Sequence, residues 1–252
     1  MHGVDLPHQR RNPLQKENKL GTISLNKLGG WSLILGPILT LLAYFLQPGV
    51  ALIDPVDPAI ASKAIPAIIN NAALSKISSV LIPIGLLVLV YGIFSLQKYI
   101  SANGNGDALS RYGALLILVG CLGWITASGM SLAIAGADLE ALGISGTPIP
   151  AAAIPGIVGA YGVTYAVTLG IGTVSGLVAA IGFLALTLAV YTRDDFNKNF
   201  ALVAAIAAVV QIVTVIIGGV DSGQLELMNT IGGVIFLIHA SWIITTGLKL
   251  TK

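Results

Sequence analysis

The sequence predicts an all-α protein, a polytopic bundle of transmembrane helices, and three observations predict it. Hydrophobic residues make up 55% of the 252 and charged residues only 10%, where a soluble domain carries about 25% charged residues. Six separate apolar stretches are each long enough, at about 20 residues, to cross a hydrocarbon core about 30 Å thick. Eleven of the thirteen Lys and Arg residues fall on one side of those stretches.

The chain begins with a polar tail over residues 1–27 holding Arg10, Arg11, Lys16, Lys19 and Lys27. A polar section of about 27 residues is too long for a cleavable signal peptide, so the tail is expected to remain as a cytoplasmic segment. The integral membrane domain then occupies residues 28–252. Its spans fall near Leu28–Leu46, Ile77–Leu96, Tyr112–Ala135, Tyr165–Tyr191, Phe200–Gly219 and Leu227–Leu248.

The segments between spans sort by charge. Lys98, Arg111, Arg193, Lys198, Lys249 and Lys252 join the tail on one side, while only Lys63 and Lys76 lie on the other, beside six carboxylates. The excess of basic residues in cytoplasmic loops therefore places both termini in the cytoplasm of a cell membrane. Trp31, Tyr99, Tyr112 and Tyr191 fall near the same boundary, where amphipathic rings settle.

Between spans one and two lies an extracytoplasmic loop, residues 47–76. Asp57 followed by Pro58 is a favourable helix start, and short amphipathic helices on the outer surface suit the rest. Asp54 and Asp57 alone fall short of the six to eight oxygens a calcium ion takes. From Pro148 to Tyr191 no residue is charged over 44 positions. That length admits two short spans, and hence seven helices, or one long tilted helix after an interfacial or re-entrant piece within residues 137–160. Pro150 and Pro155 interrupt a helix there and favour the second arrangement.

The six spans form three helical hairpins. Their return helices, "VLIPIGLLVLVYGIFSLQK", "SGLVAAIGFLALTLAVYTR" and "TIGGVIFLIHASWIITTGLK", share small residues early and a basic residue at the end. This is the pattern of parallel repeats, although helices of one topology also converge on it by composition. Pro37 and Pro83 should kink the first and second spans. Two small-residue rows, Gly172–Gly176–Ala180 and Gly123–Ala127–Ser131, are expected to be packing seams, because small residues let helices approach closely in lipid.

The motif search is mostly negative. There is no phosphate loop, no H-E-x-x-H and no G-x-S-x-G, and the span interiors lack Asp, Glu, Lys and Arg. No catalytic constellation is expected, and a classical ion-coupled pump is disfavoured. A net charge of +2 gives nucleic acid no basis for binding. Cys121, the single cysteine, reads as a small apolar packing residue.

Two polar residues stand out inside the spans, Gln211 and His239. Counted from the cytoplasmic ends, they lie roughly 16 and 14 Å deep, so a hydrogen bond between them would fix the register of the last hairpin. The alternative for His239 is a contact to haem or quinone, although no cofactor is required by the rest of the chain.

Three functions are compatible with these features. The first is a non-catalytic accessory subunit of a larger respiratory or other energy-converting membrane complex, with other membrane subunits as partners besides the bilayer. The second is a channel or facilitator for a small neutral solute, lined by Thr164, Thr168, Thr173, Ser175, Thr126 and Ser128. The third is a cofactor- or quinone-contacting subunit of a membrane oxidoreductase, with His239 as its contact.

Overall fold

The computed structural model describes residues 24–102, 104–145 and 148–252. The tail's basic residues from Arg10 to Lys19, with His2 and His8, lie outside the described residues. Seven α-helices run in order: α1 Leu25–Phe45, α2 Ala61–Asn70, α3 Ala72–Ala102, α4 Asp107–Ala135, α5 Ile154–Tyr191, α6 Lys198–Val220 and α7 Leu225–Thr251. All but α2 are long and apolar enough to cross a membrane. The protein is a multi-pass transmembrane helical bundle, with no strand among the described residues.

Several boundaries have a local cause. Ser24 caps α1 by accepting from Lys27 N at 3.2 Å, and Asn197 caps α6 by accepting from Phe200 N at 3.1 Å. Both satisfy backbone N–H groups that the first helical turn leaves without partners. Gly106 stands before α4 at φ +96°, a backbone state that a side chain would strain. Pro37 and Pro83 sit within α1 and α3, which continue through them.

The choice between six and seven spans is settled by α5. Pro155 lies in its first turn, where a missing N–H breaks no bond, so the helix starts there. A single 3-10 turn, Ala151–Ala153, precedes it. The helix then runs unbroken for 38 residues, about 57 Å at 1.5 Å per residue. That exceeds the hydrocarbon thickness, and its first turns stand beyond the other spans.

Those turns carry an outer layer on the face away from the termini, here the distal face. Helix α2 buries Ala64 through Ile69 against Ile134, Ile149, Ile157 and Tyr165. Asn70 Oδ1 accepts from Ile149 N at 2.9 Å, and the Tyr165 hydroxyl donates to the Pro58 carbonyl at 2.8 Å. Asp57 caps the turn before α2, accepting from Ala59 N, and the helix itself begins at Ala61. Asp54 accepts from the Asn71 side chain at 2.7 Å.

Each spanning helix packs chiefly on its chain neighbours, and α7 returns to pack on α1. The six spans therefore close into a ring. Three seams are tight because glycine lets backbones touch. On α1 and α3, a Cβ at Gly36 would lie 2.5 Å from Leu89 N, and one at Gly92 would lie 2.7 Å from Leu33 N. On α4 and α5, Gly113 and Gly182 face each other in the same way, and Gly30 and Gly247 do so between α1 and α7. Toward the termini the ring is filled by Leu89, Ile93, Leu96, Ile117, Leu186, Ala204, Trp242 and Ile243, with Cys121 among them.

Candidate functional site

Toward the distal face the ring is not filled. A cavity of about 330 Å³ lies between α1, α3, α4, α5, α6 and α7. Its existence follows from residue size: Gly172, Gly176, Gly218, Gly219, Gly232 and Gly233 all lie on its wall. At Gly172 and Gly233 nothing stands within 4 Å of where a Cβ would be. All three residues of the expected seam Gly172–Gly176–Ala180 line the cavity, and the Cβ position of Gly176 also meets Val215 of α6 at 3.5 Å. The close approach of α4 to α5 is made instead by Gly113, Gly120 and Gly182. The second row divides: Gly123 meets Ser175 on α5, whereas Ala127 and Ser131 face the cavity.

The lining contains no Asp, Glu, Lys or Arg, yet it is not simply greasy. Gln47, Gln211 and Asn229 contribute amides, and Ser128, Ser131, Thr40, Thr168, Thr173 and Thr214 contribute hydroxyls. The threonine hydroxyls donate within their own helices, Thr168 to Thr164 O at 2.8 Å and Thr173 to Leu169 O at 2.9 Å. Such back-bonding leaves an acceptor lone pair free. The side chains of Gln47, Gln211, Asn229, Ser128 and Ser131 make no hydrogen bond among the described residues. Of the six residues expected to line a pathway, Thr168, Thr173 and Ser128 line the cavity. Thr126 is on an exposed face, Ser175 is in the α4–α5 seam, and Thr164 is not in the lining.

His239 forms the floor. It is 3% exposed, its ring stacks on Phe183 of α5 with centroids 4.7 Å apart and planes 9° apart, and its Nε2 lies 3.1 Å from the carbonyl oxygen of Ala204 on α6. The side chain therefore ties α5, α6 and α7 together. Just above, Trp124 and Phe236 meet edge-to-face at 6.5 Å and narrow the ring.

The expected bond between Gln211 and His239 is replaced by this one. Gln211 instead reaches Gly232, whose Cβ position is 3.3 Å from its Nε2, two turns from His239. The reason is the connection: only Asp221 stands between α6 and the 3-10 turn Ser222–Gln224 that starts the return. That short link fixes the register at the distal end. At the other end α7 overshoots α6 to reach α1, so counting depth from there misaligns the pair.

Nε2 of His239 is engaged by the Ala204 carbonyl, which leaves Nδ1 as its open ring nitrogen, and Tyr44 and Met228 also lie in the cavity lining. Among the described residues no three His, Cys, Asp or Glu side chains gather as a metal site.

A second recess, about 240 Å³, opens toward the termini between Asp195, Asn197, Phe200, Trp242, Thr246, Lys249 and Lys252. Its edge is fastened by Arg193, whose Nε and Nη2 donate to the two Asp195 carboxylate oxygens at 2.8 and 3.0 Å. The Tyr99 hydroxyl donates to the same carboxylate at 3.0 Å. Bound this way, Asp195 is held below the usual carboxylate range by the Arg193 guanidinium. Sequence reasoning missed Phe183, because a single phenylalanine among the aliphatic residues of α5 gives no sign of which residue on another helix it meets.

The class of protein that this architecture defines is a ring of six membrane-crossing helices around an uncharged cavity. The chain matches no protein-family model, and no curated protein and no solved structure matches it either.

Proposed function

We propose that the chain is a membrane facilitator for a small uncharged solute, with the distal cavity as its binding chamber and the second recess as its other mouth. One observation carries this reading. The two recesses lie toward opposite ends of one helical ring and are separated by a single turn of α7, since His239 bounds one and Trp242 with Thr246 bounds the other. The uncharged but hydrogen-bonding lining suits a neutral solute, and a charged one would find no countercharge. With the basic residues gathered at the terminal face, the chamber opens away from the cytoplasm. Passage requires the Phe183–His239 stack to part, and a change of this kind is compatible with packed helices that shear by small steps.

The experiment is solute-driven swelling of vesicles containing the purified protein, with glycerol and urea as solutes. Gly172→Leu fills the chamber from a wall position where nothing stands within 4 Å of the Cβ. Flux should fall at least tenfold while helicity and thermal stability persist. Equal flux in the variant, or none above protein-free vesicles in the parent, would remove the proposal.

A second reading, an accessory subunit of a larger membrane complex, is supported by a different surface. The face of α5 beyond the ring presents Gly156, Gly159 and Gly170 with open space at each Cβ position, and Val163 is 76% exposed. Small residues of this kind serve helix association in lipid. Co-migration with other chains in mild detergent, lost in Gly159→Leu, supports it; migration of the chain by itself opposes it.

A further inference from the structure

We propose that the cavity's occupant carries a hydrogen-bond donor, an O–H or N–H on an otherwise apolar and uncharged body, and that Nδ1 of His239 accepts it. This deepens the reading of the distal cavity as a solute chamber and rests on it.

The tautomer comes first. Ala204 offers a carbonyl oxygen, which only accepts, so the contact at 3.1 Å requires Nε2 to carry the ring proton. In a neutral imidazole with a protonated Nε2, Nδ1 bears a lone pair and only accepts. No donor among the described residues meets it. Gln211, an amide with free N–H groups on the adjoining wall, stands at the level of Gly232, about two turns away along α7. With the stack closed, the ring is held in this orientation, because one edge is bonded to α6 and one face is stacked on Phe183. His239 therefore presents a fixed, unpartnered acceptor at the cavity that it lines.

The rest of the chamber defines the body of the ligand. Ile82, Leu86, Trp124, Leu169, Val215 and Phe236 supply its apolar walls. A dry cavity of about 150 Å³ accommodates benzene, so about 330 Å³ holds a monocyclic ring with room for substituents. Sites built around a specific hydrogen bond reject an isostere without the matching group far more strongly than apolar walls alone do. The donor therefore sets selectivity, and the apolar body sets fit.

Phenol and benzene test this directly, because they share a ring and differ by one O–H. The full chain is prepared with ¹⁵N-labelled histidine, with His2→Gln and His8→Gln so that His239 gives the only signals, and is reconstituted in bilayers. Solid-state NMR should show a protonated Nε2 and a bare Nδ1 in the empty protein. Saturating phenol should move the Nδ1 line and leave Nε2 in place, benzene should move neither, and Gly172→Leu should abolish the phenol shift. A bare Nε2, an Nδ1 line that phenol leaves unmoved, or equal shifts with both probes overturns the proposal.

Two substitutions divide the ring's functions. Gln reaches as far as Nε2 and keeps a donor for Ala204, whereas Asn keeps an acceptor near the position of Nδ1. Equilibrium dialysis of labelled phenol against protein-containing and protein-free vesicles should show binding at least tenfold weaker in His239→Gln than in His239→Asn; the reverse order contradicts the assignment. A phenol shift at Nδ1 without glycerol or urea flux leaves this inference standing and removes only the transport reading.

Discussion

His239 donates from Nε2 to the carbonyl oxygen of Ala204 at 3.1 Å, and in the same register Gln211 reaches Gly232 two turns closer to the distal face. Both contacts descend from one feature, the single residue Asp221 between α6 and the turn that begins the return. Asp221 also accepts from Gly223 N at 2.9 Å, which fixes the direction of the reversal. The last hairpin is aligned from its short connection outward.

That register makes a yes-or-no prediction. With Cys121→Ser as background, Gln211→Cys paired with Gly232→Cys should be bridged efficiently by a short bifunctional thiol reagent. Gln211→Cys paired with His239→Cys should not, because about 10 Å of helix separates their levels. Gel mobility after proteolysis between the helices reads the result, and the opposite pattern would falsify the register.

Removing the His239 side chain deletes one interhelical hydrogen bond and one stacked ring pair. In membranes the first contributes about 0.6 kcal/mol and at most about 1.7, and an aromatic pair contributes about 0.5–1.5. His239→Ala should therefore lose about 1–3 kcal/mol in reversible detergent unfolding. Combined with Gln211→Ala, the losses should add within about 0.5 kcal/mol, as separated sites do.

Glycines of the same sequence type should respond with opposite signs. A Cβ at Gly36 falls 2.5 Å from Leu89 N and 2.7 Å from its Cα, atoms that move only if α1 and α3 separate. Gly36→Ala should lose about 1–3 kcal/mol. At Gly172 the added methyl enters open space, and Gly172→Ala should be neutral or gain up to about 1 kcal/mol from helix propensity. Unfolding midpoints of the two variants decide the matter.

The Arg193–Asp195 pair predicts a pH response at the terminal face. A carboxyl whose folded value lies below its unfolded one adds stability that is fully present above the unfolded value and disappears as pH falls through the folded value. The stability difference between the parent and Asp195→Asn should thus be constant from neutral pH down to about 5 and shrink only below the ordinary value of 3.8. Thermal unfolding measured across that range tests it; a difference that vanishes near neutral pH contradicts the pairing.

The spans were legible because a run of about 20 uncharged apolar residues has few alternatives to a membrane helix. Continuity across Pro148–Tyr191 was harder, since a proline ends a helix or begins one depending only on position, and Pro155 begins α5. The cavity was not legible at all. Spacing places Gly172, Gly176 and Ala180 on one face, but whether that face meets a helix or a void depends on which neighbours the ring supplies. Equally, Gln211 and His239 were matched by depth from the uneven ends of their helices. Counting from the short stretch "GVDSGQ" would have set Gln211 beside Gly232.

Closure of the ring by Gly30 against Gly247 has a consequence for biogenesis. The wall of the chamber joins the first span to the last, so while the chain is being synthesised α1 waits in the lipid with its glycine face uncovered. Every truncation that removes α7 leaves the remaining spans as an open crescent, and the chamber comes into being only when the final helix is delivered.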